Sequence, residues 1–168
     1  MILPILTDPN PLLLQEAEQI AAVTPEITQL IADMRETMQG AQGVGLAAPQ
    51  VGKSIALCVI GYEDKEDPEF SIPQMALINP RITWKSQKKV SLLEACLSIP
   101  DLEGPVIRPD RIRLKARDEH FEPVEIEAEG YLARIIQHEV DHLHGILFTT
   151  LVPKKKLARR TAPDYPRV

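Results

Sequence analysis

Cysteine is scarce in this chain: 168 residues contain two, Cys58 and Cys96. Two cysteines cannot build a disulfide framework, so each must be weighed as a ligand, a nucleophile or a piece of core. Long apolar runs are missing as well, none approaching the roughly 20 residues needed to cross a bilayer. The start has no basic segment followed by an apolar stretch and a small-residue cleavage site, so we expect a cytoplasmic protein with no membrane partner. Compositional bias is also absent. Hydrophobic residues make up 44% and charged residues 26%, close to the globular average and unlike disordered or fibrous chains. We find no internal repeat, low-complexity segment or linker, and the length suits one domain over residues 1–168.

Charge is uneven. Residues 154–168 hold six of the 19 Lys and Arg but one of the 24 Asp and Glu, leaving 13 basic against 23 acidic residues, a net −10, on the rest. A short basic tail on an acidic body suits either a polyanionic partner such as ribosomal RNA or a solvated helix end.

Residues 11–22 and 25–41 place apolar side chains at helical spacing, with Thr24 positioned to cap the second segment. Short β-rich stretches follow at 55–60, 75–79, 81–84, 90–93, 112–116 and 124–128, separated by loops marked with proline. The alternation from Arg111 to Ala116 predicts a half-exposed antiparallel strand. A third helix is expected from about Gly130 to His144, with Glu127 and Glu129 near its positive end and Gly145 stopping it. Helices and strands do not alternate regularly, which favours an α+β fold of antiparallel sheets over a doubly wound parallel sheet.

The third helix carries Gln137-His138-Glu139-Val140-Asp141-His142, a His-Glu-x-x-His pattern. Residues four apart are separated by about 400° of rotation, so His138 and His142 share one face and can grip one metal ion. The same spacing aligns Glu139 with Leu132, Ile135, Ile136, Leu143 and Ile146, an apolar stripe facing the core. A carboxylate there makes sense beside a metal-activated water, from which it takes a proton and to whose leaving group it returns one. The competing reading is a charged helical face that matches a short pattern by accident.

A third ligand is needed, and Cys96 is the best candidate. A thiolate and two neutral imidazoles leave one tetrahedral position open for catalysis. Cys96 enters a proline-bearing loop beside Glu94 and Ser98, whereas Cys58 lies within an apolar run and reads as core. The alternative for Cys96 is also a small buried hydrophobe.

Residues 43–50, Gly-Val-Gly-Leu-Ala-Ala-Pro-Gln, partly fit a dinucleotide fingerprint. That fingerprint requires a strand before and a helix after, and here the order is reversed, so no nucleotide cofactor is expected. Small residues at this density allow close backbone approach to a neighbouring segment or an extended peptide. Gln50 can then bring an amide N–H to where an oxyanion forms.

Taken together, residues 43–50, 94–98 and 137–142 resemble the three signatures of the peptide deformylase family: Gly-x-Gly-x-Ala-Ala-x-Gln, Glu-Gly-Cys-x-Ser and Gln-His-Glu-x-Asp-His. The likeness extends from Asp8-Pro9 and Leu13 through Leu77-Ile78-Asn79-Pro80 and Arg108 to Phe148. It implies antiparallel sheets packed around the helix with the two histidines. It also implies an enzyme that hydrolyses the formyl group from N-terminal formyl-methionine of nascent polypeptides and releases formate. By the resemblance Cys96, His138 and His142 bind one divalent ion, Fe2+ in the cell, with Zn2+, Ni2+ or Co2+ able to replace it. Glu139 moves protons, while the Gln50 amide and the Leu97 N–H stabilise the oxyanion. Substrate lies along Gly43, Val44 and Gly45, its methionine entering a pocket near Val44, Leu132, Ile135 and His138. Glu94 and Arg108 are implied to hold the cysteine loop and Gln50. The basic tail corresponds to a region that docks some members on the ribosome, although Pro163 and Pro166 interrupt it here.

One residue departs from the pattern: Ala95 stands where the family usually has glycine, which matters if the backbone there needs a positive φ. Two other functions compete. A metallopeptidase would take its third ligand from farther along, but no His or Glu follows Gly145. A non-catalytic homologue binding peptide termini or ribosomes would have little use for Glu139 and Gln50.

Overall fold

The computed structural model describes residues 1–160. An irregular N-terminal segment leads into helix α1, Pro25–Gly40. Thr24 caps it, accepting the Ile27 N–H at 3.4 Å, and Pro25 takes the first turn, where its missing N–H costs nothing. The helix predicted over 11–22 does not form: a 3-10 turn, Pro11–Leu14, is followed by non-helical backbone. Leu13, Ala17 and Ile20 are buried, but the backbone bonds of the segment go elsewhere. Ala17 N–H donates to Leu143 O, Ala56 N–H to Glu18 O, and Ile20 N–H to the Asn79 side chain. Tertiary pairing overrides the helical spacing.

Seven strands occupy the middle of the chain: β1 (Gly45–Ala47), β2 (Leu57–Tyr62), β3 (Ile72–Lys85), β4 (Lys89–Cys96), β5 (Ile99–Pro109), β6 (Arg111–Arg117) and β7 (Pro123–Glu129). Helix α2 covers Gly130–Leu143, and a short β8, Ala158–Arg159, comes last. All pairings between these strands are antiparallel, in a five-stranded sheet ordered β1-β2-β3-β6-β7 and a three-stranded sheet ordered β4-β5-β8. This is the expected α+β arrangement.

The strands differ from those expected, and β1 and β8 are additional to them. The stretches 75–79 and 81–84 form one strand, because Pro80 sits where the β3–β6 register shifts and Asn79 takes φ +51°. Strand β5 was expected to be loop, given Pro100, Pro105 and Pro109. It pairs with β4 along most of its length and, among the described residues, with β8 on its other edge at Leu102 and Glu103, so its prolines need not donate to a second strand there. Glu127 does not serve the α2 N-terminus, but pairs with Arg111 and Arg113 across the sheet.

The five-stranded sheet is covered on both faces at β2, whereas β6 keeps one face exposed. Leu57 and Val59 of β2 pack with Ile31, Met34 and Met38 of α1, while Cys58 and Ile60 face Ala133, Ile136, Val140 and Leu143 of α2. Double-sided burial explains the uninterrupted apolar run of β2. Leu13, Cys96, Ile99, Val106, Phe148 and Val152 form a third cluster at the smaller sheet. Helix α2 lies between the sheets and bonds to the smaller one through Arg134 and Gln137. Gly145 ends it at φ +68°, where a β-carbon would strike the Leu14 carbonyl. Ile146 lies past this stop and is 37% exposed, so it leaves the apolar stripe.

Candidate metal centre

Three segments distant in sequence converge against α2. Its helical spacing sets His138 and His142 one turn apart, ring centroids 4.9 Å apart. Strand β4 ends at Cys96, whose Sγ lies 3.3 Å from His142 Nε2. One ligand atom from each of Cys96, His138 and His142 falls within 4.8 Å of the others, and all three residues are buried. Ligands about 2.0 to 2.3 Å from a tetrahedral cation stand roughly 3.5 Å apart, so the cluster has the size of a single-ion site.

Hydrogen bonding fixes which atoms face the centre. Glu94 Oε1 lies 2.8 Å from His138 Nδ1. Burial alone would raise the Glu94 pKa, but bonds from His138 and Arg108 outweigh it and hold the carboxyl well below its ordinary range. An ionised carboxylate only accepts, so Nδ1 donates to it and Nε2 is the ring nitrogen left to face the centre. Among the described residues, His138 Nε2 is buried with no hydrogen-bond partner, as are both Glu139 oxygens. Buried polar atoms without partners are rare, and a cation beside them explains their survival. The donor set fits a divalent ion of intermediate softness.

Glu139 is fully buried, with the backbone of Gly45 directly against its carboxylate. Burial pushes its pKa well above the ordinary value; Arg108 opposes the shift while Glu94 and Asp141 add to it. Burial likewise holds His142 well below its usual pKa, hence neutral and able to ligate. Gln50 sits in a 3-10 turn, Ala48–Val51. Its Oε1 accepts the Ala47 N–H at 2.8 Å, which turns Nε2 toward Ser98 Oγ at 3.1 Å and Cys96 Sγ at 3.6 Å.

The Glu94–Arg108 pair exists, with Arg108 Nε to Oε2 at 2.7 Å and the Arg108 NH2 nitrogen to Oε1 at 2.9 Å. Its bonds run to His138 and Asp141 and do not reach Gln50, which Ser98 and Ala47 hold instead. Gly43 packs against Leu97 and borders a recess of about 760 Å³ with Gly61 and Tyr62. Leu132 borders a second recess, about 790 Å³, with Phe70, Leu93 and Tyr131. Val44 and Ile135 are fully buried in the apolar core. Cys58 is core too, its thiol pKa raised by burial and then by Glu139.

Sequence reasoning missed Arg134 and Asp141. Arg134 Nη1 reaches Glu94 Oε2 at 2.5 Å, and Asp141 accepts from Arg108 at 2.7 Å. Helical spacing held the signal: they lie four residues before and three after His138, on its face of α2.

The model of the polypeptide deformylase family matches residues 2–158. The chain belongs to that family. A peptide deformylase from Salinibacter ruber is 44% identical, with 100% of this chain and 95% of that protein covered. One from Psychrobacter cryohalolentis is 43% identical over 94% of this chain and 83% of its own. Among solved structures, the Ehrlichia chaffeensis peptide deformylase in complex with actinonin superposes at TM-score 0.85, with 39% identity over 92% of this chain and 90% of that one. The Acinetobacter baumannii peptide deformylase bound to Met-Ala-Ser also gives 0.85, at 32% identity over 90% of this chain and 99% of its own. Deformylases are metal-dependent hydrolases, and the cluster of Cys96, His138 and His142 suits one ion.

The deformylase resemblance left open whether Ala95 is strained. It is not: the non-glycine residues with positive φ among those described are Gln42, Asn79 and Phe121. Ala95 continues β4 opposite Glu103 and is 1% exposed.

Proposed function

We propose that this chain hydrolyses the formyl group from N-terminal formyl-methionine of nascent polypeptides and releases formate, acting as one catalytic unit in the cytoplasm. Ferrous iron is the proposed resident ion, held by Cys96 Sγ, His138 Nε2 and His142 Nε2. The observation that carries the reading is Glu139, a buried carboxylate without a hydrogen-bond partner among the described residues, adjacent in sequence to a ligand and packed on Gly45.

Substrate lies along Gly43, Val44 and Gly45, where the chain enters β1, and pairs there as an added strand. Support comes from the sheet order, in which β1 is terminal, and from the methionine-first peptide carried by the Acinetobacter relative. The methionine side chain occupies the apolar space reached by Leu132, with Val44 and Ile135 behind it. When bound, the cation supplies Lewis-acid polarisation and makes water a stronger nucleophile near neutral pH. Glu139 accepts a proton from the attacking water as the new C–O bond forms at the formyl carbon. The Gln50 amide and the Leu97 backbone N–H donate to the resulting oxyanion. Glu139 then gives the proton to the amine nitrogen as the C–N bond breaks, leaving formate and a free N-terminus.

Formyl-Met-Ala-Ser mixed with anaerobic, iron-loaded protein will yield formate, and Glu139→Gln will abolish most of it. No formate from the parent protein would refute the activity. The exposed Lys154, Lys155 and Lys156 support a ribosome contact. The tail beyond residue 160, with Pro163 and Pro166, lies outside the described residues. Replacing the three lysines by serine is expected to weaken co-sedimentation with ribosomes, and unchanged binding would refute the contact.

A further inference from the structure

Arg134 is an unusual residue for its position. It lies on the buried side of α2, 3% exposed, between the helix and the smaller sheet. Its Nη1 bonds Glu94 Oε2 at 2.5 Å and Val106 O at 3.0 Å, and its Nη2 bonds Val90 O at 2.7 Å. Burying a guanidinium is costly even when it is paired, and an apolar side chain of similar volume often gives equal or better stability. Stability alone therefore gives no reason for an arginine here.

The bonds of Glu94 supply one. Its carboxylate accepts four, two on each oxygen: Oε1 from Arg108 and His138, Oε2 from Arg108 and Arg134. With every favourable lone-pair direction used, the carboxylate cannot swing, and the imidazole bonded to it holds its tilt. Arg134 also balances charge. Two guanidiniums stand against Glu94 and Asp141, and removing one would leave a net negative charge beside the ligands. The third effect is mechanical. Val90 belongs to β4, the strand that ends at Cys96, and Val106 pairs with Leu92 across the hairpin. One side chain thus ties the helix bearing both histidines to the strand bearing the cysteine.

We propose that Arg134 is a positioning residue that holds the Cys96 strand and the His138 ring in a single metal-binding geometry. The proposal rests on Cys96, His138 and His142 holding a cation, but not on the identity of the substrate.

The test compares Arg134→Gln and Arg134→Lys with the parent, each loaded with Co2+. Lysine keeps the charge and can reach Glu94, but cannot serve both carbonyls and the carboxylate together. In Arg134→Gln, loss of Co2+ to a chelator will accelerate about 10- to 100-fold, the range seen when groups supporting metal ligands are removed. The visible absorption of bound Co2+ will shift, and kcat will fall with KM unchanged. Arg134→Lys will be intermediate in all three. Variants that melt at lower temperature yet release Co2+ at the parent rate with the parent spectrum would overturn the proposal. If the glutamine variant does not fold, Arg134→Lys decides alone by the same two metal readouts. Neither readout needs substrate, so a parent protein inactive on formyl-peptide would refute the function while leaving this test intact.

Discussion

A β-carbon placed on Gly45 would come within 2.7 Å of Glu139 Cδ and 2.9 Å of its Cγ. The edge strand of the larger sheet and the Glu139 side chain of the helix therefore interlock, and the glycine is what allows the contact. Contacts below 3 Å between carbons cannot be accommodated without movement, and Glu139 is enclosed on its other sides.

Gly45→Ala should therefore displace the Glu139 carboxylate. Misplacing a general base forfeits much of its contribution, typically about 100- to 10,000-fold. Formate release is expected to fall within that range while the metal content of the purified protein stays at one ion per chain. Parent-like activity would show that Glu139 is free to reposition.

Gln50→Glu tests the amide by itself. The new carboxylate can still accept the Ala47 N–H that anchors this side chain, but it offers no N–H to Ser98, Cys96 or a developing oxyanion. Loss of one oxyanion donor costs about 100- to 1000-fold in rate. Steady-state kinetics should place the loss in kcat, with KM little affected; a change confined to KM would assign Gln50 to substrate binding.

Ala95→Gly restores the residue usual in the family. Because Ala95 is an ordinary β-strand residue without positive φ, glycine gains no conformational relief and loses backbone rigidity. The variant should be less stable by about 0.5 to 1 kcal/mol in denaturant titration, with kcat unchanged. A large gain in kcat would mean that the methyl group crowds the substrate.

What the sequence revealed follows from how local each signal is. The α2 ligands and the alternation of β6 depend on spacing within one element, and Arg111–Arg117 shows the expected in-and-out burial. Residues 11–22 were misread because apolar residues at helical spacing also suit a segment that spreads its side chains over different neighbours: Leu13, Ala17 and Ile20 enter three separate clusters. Strand β5 was hidden by its prolines, which are tolerated where they need not donate to a second strand. The fourfold bonding of Glu94 was the least legible feature. Its partners lie 14, 40 and 44 residues away, and only the fold brings them to one carboxylate.

Cys96 provides a prediction linking metal binding to pH. Without a cation its pKa is pushed up to about 12, chiefly by burial, with Glu139 and Glu94 adding to it against hydrogen bonds from the Ser98 and Ile99 backbone. In neutral solution the metal-free protein therefore carries Cys96 as a thiol, while His142, depressed by burial, is already neutral. A cation ligates the thiolate, so binding must expel the Cys96 proton, and His142 contributes none. The sign follows: apparent affinity rises with pH, about tenfold per unit for each proton released, throughout the range below the Cys96 pKa. Calorimetric titration of the metal-free protein with Zn2+, in buffers of different ionisation heat at one pH, reads the proton count directly. At least one proton per ion is expected, and zero would mean that the sulfur either is already ionised in the metal-free protein or does not ligate.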